Sequence, residues 1–357
     1  HPTLQMPAVT YFTNGTGPVV AGKLWPFLCI VIMCGAISGF HSLISSGTTP
    51  KMVYRETDMK AIGYGSMVLE GFVSITALVA ACSLQPGDYF AINYDFGTGN
   101  QAIVRQAAYD KMVDTARTEH NWDLTPKELP ELEAGTREEL KGRVGGAVTL
   151  AVGMARVFDR AMPWLTGLMS YWYHFVIMFE ALFILTLLET GTRVARFVFQ
   201  ETIEQFRRGP KQHGKPNWLM NVVMSVVTCV CWGYLLYTGN LDSLWRMLGI
   251  ANQLLASTAL VVGTTYLLLH APKRIHALIT FIPLCFLFVT TVTASVMSIS
   301  MWWSKIGPQM PIAEVRNTKL LCGIASIMLV LVLVVVVDAV RRWIEILRTP
   351  RETPSTA

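Results

Sequence analysis

Gly35-Ala-Ile-Ser-Gly39-Phe-His41-Ser42-Leu-Ile-Ser45-Ser46-Gly47-Thr48-Thr49-Pro50 closes the first long apolar run of this chain, which begins at Leu24. Glycines, an imidazole, a row of hydroxyls and a proline make it too polar for a helix end that faces lipid. Backbone without helical hydrogen bonds survives at bilayer depth only where it is buried in protein or lines a water-filled cavity. The pattern predicts a locally unwound helix over about 39–49. The freed backbone there, with Gly39, His41, Ser42, Ser45, Ser46, Gly47 and Thr48, would hold a solute. The plainer alternative is a Gly35–Gly39 packing seam that runs into an ordinary cytoplasmic cap. His41 favours binding, because an imidazole inside a span is costly without a task.

Outward from this stretch, further runs match the roughly 20 apolar residues that a crossing helix needs. With the first at 24–45, they are 61–82, 164–188, 218–237, 245–270, 277–301 and 318–338. The run 144–157 is too short to span comfortably and suggests a re-entrant or interfacial piece. Charged residues make up only 15% of the chain and hydrophobic ones 52%. Soluble domains carry about a quarter charged residues. The expected fold class is therefore all-α integral membrane, with about seven transmembrane helices and one re-entrant segment.

Lysine and arginine in the short loops set orientation. They gather at 50–60 (Lys51, Arg55, Lys60), at 191–217 (Arg193, Arg196, Arg207, Arg208, Lys211, Lys215), at Lys273 and Arg274, and at Arg341, Arg342, Arg348 and Arg351. Seven crossings place all four groups on one side, the cytoplasm, provided 144–157 does not cross. The C-terminus is then cytoplasmic and the acidic stretch 83–142 lies outside. Thr125-Pro126-Lys127-Glu128 reads as a helix-starting capping box. The expected divisions are 1–82 (two spans with the unwound segment), 83–142 (a polar insert), 143–163 (the re-entrant element), 164–338 (a five-span bundle) and 339–357 (an amphipathic tail). In that tail Trp343, Ile344 and Leu347 share a face fit for the membrane interface. The first run lies well inside a chain that starts at His1, and no signal peptide is expected.

Several polar residues fall inside the spans. Glu70 sits mid-run, near Gly63, Gly65 and Gly71. A carboxyl at that depth is protonated, paired or hydrated. It reads as a proton or cation site, or as a structural hydrogen bond. Tyr173 and Glu180, seven apart, share one helical face, with His174 on the neighbouring face. These read as proton-coupling groups or as a structural Tyr–Glu pair. Asn252 and Gln253 are candidates for substrate contact, or are amides bonding across helices. The seven cysteines lie in or beside apolar runs and read as small core residues. Enzyme motifs are absent: there is no HExxH, CxxC or Walker loop, and the Gly63-Tyr-Gly65-Ser66 fragment lacks a strand–turn–helix setting. No resident cofactor is expected beyond a coupling proton or sodium ion.

The stretch Gly39–Lys51 resembles a hallmark of the carbon starvation protein A family. So do Gly145–Ala155, Tyr173–Thr186, Gly191–Arg196 and Gly249–Ala256. Val148 stands where proline is expected, and Glu189 where aspartate is common. The resemblance implies a transporter of the amino acid–polyamine–cation superfamily, with a LeuT-like inverted repeat, in a bacterial inner membrane. It implies uptake of peptides or pyruvate, driven by cations or protons and linked to carbon starvation. The broken first run would open the second repeat, so the first repeat of the same protein would be this chain's partner. A membrane sensor of starvation without transport is the alternative; an intramembrane hydrolase using Ser46 or Ser66 with His174 is the third class.

Overall fold

The computed structural model describes residues 3–12, 17–19, 23–97, 99–162, 164, 167–206, 218–238, 241–304, 306–307 and 312–349. The cations expected at Arg207, Arg208, Lys211, Lys215 and Arg351 lie outside them. In chain order the helices are α1 (Cys29–Ala36), α2 (Gly39–Gly47), α3 (Thr49–Met52), α4 (Asp58–Lys60), α5 (Ser66–Cys82), α6 (Pro86–Asn93) and α7 (Asn100–His120). There follow α8 (Leu129–Thr136), α9 (Gly146–Ala161), α10 (Met169–Phe206), α11 (Trp218–Thr238), α12 (Leu241–His270), α13 (Leu278–Ser304) and α14 (Ile312–Arg348). No strand occurs among the described residues.

Among the described residues six stretches are long and apolar enough to cross a membrane: Leu24–Met52, Asp58–Cys82, Met169–Ile203, Met247–His270, Arg274–Ser304 and Val315–Arg348. The run at 218–237 gives a shorter apolar helix, Trp218–Tyr234. Hydrogen bonding within each helix satisfies their backbone amides where lipid offers no partner. The chain is a multi-pass membrane protein.

Two compact units divide the chain. One comprises His1–Lys23 and Val53–Glu189, the other Leu24–Met52 and Thr190–Ala357. In the first, α6 to α9 close around a core of their own, with Leu84, Ile92, Leu124 and Leu140 fully buried. Each such side chain contributes about 1.5–3 kcal/mol. The run expected to be re-entrant is α9, 16 residues long, and Ala151, Val152 and Ala155 belong to this same core. Its other anchor is a close approach: a Cβ on Gly153 would lie 2.4 Å from the Ala80 carbonyl oxygen of α5.

The capping box at Thr125–Glu128 does not form. Helix α8 begins at Leu129, and the amides of Lys127, Glu128 and Leu129 donate to the carboxylate of Asp88, 39 to 41 residues away. Glu128 cannot reach back as a box requires, because it pairs with Arg156 of α9. Arg156 is 5% exposed and also donates to the Ser83 carbonyl. Burial pushes the Asp88 carboxyl up while the three amides pull it down.

In the second unit, α12, α13 and α14 pack together, with Ile250, Leu254, Trp302 and Leu321 in one cluster and Val261, Leu268, Leu284 and Trp343 in another. The tail read as a separate interfacial helix is, to Arg348, the unbroken end of α14. Trp343 turns inward: its Nε1 donates to Thr265 Oγ1 at 2.7 Å. Arg274 caps the helix end by donating to the carbonyls of Leu347 and Thr349.

Candidate functional site

The first apolar run is broken, but two residues earlier than the sequence suggests. Residues 39–47 are α-helical, and the backbone leaves the helix at Ile37 (φ −135°, ψ 89°) and Ser38 (φ −97°, ψ 127°). Ser38 is a helix cap: its Oγ accepts from the His41 amide at 3.4 Å. Serine followed by glycine is a strong start signal for a new helix. The hydroxyls that looked like freed ligands are therefore part of regular helix. Ser42 donates to the Gly39 carbonyl, Ser45 and Ser46 to that of Ser42, and Thr48 to that of Ile44. Their lone pairs remain as acceptors.

Asn252 of α12 spans the break. Its Oδ1 accepts from the Phe40 amide at 2.8 Å and from Ser38 Oγ at 3.3 Å. Its Nδ2 donates to the Cys34 carbonyl at 3.4 Å and lies 2.9 Å from Cys34 Sγ. One carboxamide thus serves the C-terminal end of α1 and the N-terminal end of α2, where backbone groups lack helical partners. Gly39 allows the contact. A Cβ there would lie 2.2 Å from the Asn252 carbonyl oxygen and 2.7 Å from the Ala256 nitrogen. Of the two readings of Asn252, helix-to-helix bonding is the one that describes its contacts.

Around this break stand Gly39, buried, and His41, exposed. Gly47 sits in open space, where an added Cβ would touch nothing within 4 Å, and Thr48 is 3% exposed. Gln253 is fully buried beside Asn252. Further along the unit, Phe40 meets Gly191, and Lys51 pairs with Glu201 at 3.1 Å.

Glu70, Tyr173, His174 and Glu180 belong to the other unit. Glu70 is exposed on α5 and Glu180 is half-buried on α10. The stripe expected to join Tyr173 and Glu180 divides between two environments. Tyr173 is buried in the core of the α6–α9 insert, with the Arg143 guanidinium close to its hydroxyl. His174 Nδ1 is 2.7 Å from the Ser170 carbonyl, and its Nε2 is 3.5 Å from Glu138, which also pairs with Arg143 at 2.8 Å. The top of α10 is therefore a Glu138–Arg143–Tyr173–His174 cluster, which joins insert to span. Sequence reasoning missed Glu138 and Arg143, because their partners on α10 are 30 or more residues away. Among the described residues no group of His, Cys, Asp and Glu could hold a metal ion.

A model of the family described as Carbon starvation protein CstA matches residues 1–294. The chain is 41% identical over 352 residues to the Peptide transporter CstA of Bacillus subtilis (strain 168), which covers 98% of this chain and 54% of that protein. It is 42% identical over 317 residues to the Pyruvate/proton symporter BtsT of Escherichia coli (strain K12), covering 82% of this chain and 43% of the symporter. With the Peptide transporter CstA of the same Escherichia coli strain, identity is 41% over 302 residues, covering 82% and 42%. The chain spans about half the length of the curated relatives it matches. No solved structure matches it significantly.

Proposed function

The chain belongs to the carbon starvation protein CstA family, and from that membership we propose that it supplies half of a secondary transporter for small nutrients, peptides or pyruvate-like carboxylates, coupled to protons or cations. The observation that carries the proposal is the helix break at Ile37–Ser38, held open by Asn252. Polar backbone in mid-span is maintained where it lines a solute path. The capped start of α2 points its amides, and the positive end of its dipole, toward the break, which suits a carboxylate group. His41 and the hydroxyls of Ser42, Ser45 and Ser46 lie within the two turns that follow.

In this account α11 is the seventh span, the fold is of the inverted-repeat type, and the first repeat of the same protein faces these helices. The protein sits in a bacterial inner membrane with its C-terminus in the cytoplasm. Glu70, His174 and Glu180 carry the coupling proton, with Tyr173 fixing the end of α10. The names of the relatives, a peptide transporter and a pyruvate/proton symporter, support both the solute class and the proton.

Uptake into proteoliposomes under an imposed pH gradient tests this. Labelled pyruvate or a small peptide should accumulate only when the outside is acid. Glu180→Gln should remove the dependence on the gradient, since the amide cannot carry a proton; gradient-driven uptake that persists in this variant removes Glu180 from the coupling path. Asn252→Leu should lower uptake roughly tenfold or more. It should also reduce stability by about 1–3 kcal/mol for each backbone group left unsatisfied. Unchanged uptake and melting temperature in Asn252→Leu would remove the break from the mechanism.

A further inference from the structure

Beside the break, the structure holds a second polar point that neither the break nor the coupling groups use. Gln253 of α12 and Thr291 of α13 are both 0% exposed. Among the described residues neither amide atom of Gln253 nor the Thr291 hydroxyl has a hydrogen-bond partner. Buried polar groups in native proteins are almost always satisfied, and exceptions call for an unseen partner. Thr291 differs here from its neighbours, because Thr290 and Thr293 both donate to their own helix.

Helix register sets the two at one level. Helices α12 and α13 follow one another across a short connection and pack together, with Val261, Leu268, Ala277 and Leu284 in one cluster, so they run antiparallel. At one level Thr264 Oγ1 and Thr280 Oγ1 meet at 2.9 Å. Eleven residues before Thr264 comes Gln253, and eleven after Thr280 comes Thr291. Eleven residues make just over three turns, so each returns to nearly the same face, and the equal offsets keep the two at a shared level.

The chemistry around the pair selects that guest. Ser257, one turn from Gln253, donates to the Gln253 carbonyl, and Ser295, one turn from Thr291, donates to the Thr291 carbonyl. Both are 0% exposed. Their protons are spent on their own helices, so what they offer to the seam is oxygen lone pairs. Gln253 Oε1 and the Thr291 oxygen add two more acceptors. No Asp or Glu lies within 247–270 or 278–304. Neutral hydroxyl and carbonyl oxygens without a carboxylate suit a monovalent alkali ion rather than a divalent one, which favours charged ligands. We propose that the α12–α13 seam binds a single Na⁺ or K⁺ ion between Gln253 and Thr291, with Ser257 and Ser295 completing the oxygen set.

Binding is tested without transport, so a failure of uptake and a failure of this site read separately. The purified chain in detergent is titrated with NaCl or KCl, with choline chloride holding ionic strength constant. The expected results are saturable ²²Na⁺ binding, competed by K⁺ or Li⁺, and a rise in melting temperature that follows mass action. Gln253→Leu and Thr291→Val should each weaken binding about tenfold or more and remove the thermal shift. Thr291→Ser, which keeps the oxygen, should retain both. Should Gln253→Leu not fold, the Thr291→Val and Thr291→Ser pair decides alone. A chain stabilised equally by choline, or with no saturable binding, holds only water at this point, and the proposal fails. Binding that survives Thr291→Val overturns it too.

Discussion

A single methyl group at Gly39, introduced by Gly39→Ala, is expected to stop uptake and to destabilise the protein by about 1–3 kcal/mol or more. The added carbon would lie 2.2 Å from the Asn252 carbonyl oxygen, 2.6 Å from Leu255 Cβ and 2.7 Å from the Ala256 nitrogen. Two of these are main-chain atoms of α12, which no rotamer change can move aside. The start of α2 must retreat, and the Phe40–Asn252 bond at 2.8 Å goes with it. At matched membrane levels, Gly39→Ala should show both a lower melting temperature and background uptake. Gly35→Ala, at a position where an added carbon meets nothing within 4 Å, is the control and should behave as the parent. Parental behaviour of Gly39→Ala would mean that close approach at the break is not required.

The second large effect is expected far from the break, at Asp88. Its carboxylate is 0% exposed and receives the amides that begin α8. Asp88→Ala removes a helix cap and leaves amides at the buried start of α8 without an acceptor. A lost cap costs about 1 kcal/mol and each unsatisfied buried group about 1–3 kcal/mol. The sum is of order 3 kcal/mol, concentrated in the insert. Limited proteolysis should cut near 121–128 in Asp88→Ala at protease levels that leave the parent intact. Asp88→Asn keeps one acceptor oxygen and should fall between the two. Equal resistance in all three would show that Asp88 does not hold the insert together.

The membrane class and six of the seven expected spans were legible because lipid imposes a length and a composition that the chain must display residue by residue. The break was legible too, but its position was not. Gly39, Gly47 and the hydroxyls suggested unwinding over 39–49, and helical back-bonding by Ser42, Ser45, Ser46 and Thr48 absorbs that polarity instead. The signal that could have placed the break was Ser38 before Gly39, a cap followed by a flexible residue. Asn252 stood out as an amide in a span, but its role depends on a contact 212 residues away. The same limit hid Asp88, Arg156 and the Glu138–Arg143 pair. The capping box at Thr125–Glu128 failed because a tertiary partner, Arg156, outcompeted a local bond for Glu128. Trp343 misled for a related reason: an amphipathic tail pattern does not say whether the apolar face meets lipid or protein, and Thr265 supplied the inward partner.

Access of water to the helix break distinguishes a solute path from a packing defect. In a background where Cys29, Cys34, Cys82, Cys229, Cys231, Cys285 and Cys322 are replaced, Ile37→Cys or Ser38→Cys is exposed to a charged, membrane-impermeant thiosulfonate while substrate is varied. The account expects rapid modification at both positions, slowed by saturating pyruvate or peptide, with no such protection for Met67→Cys on the apolar face of α5. Thiols at 37 and 38 that stay unmodified, or that react at a rate indifferent to substrate, would contradict it.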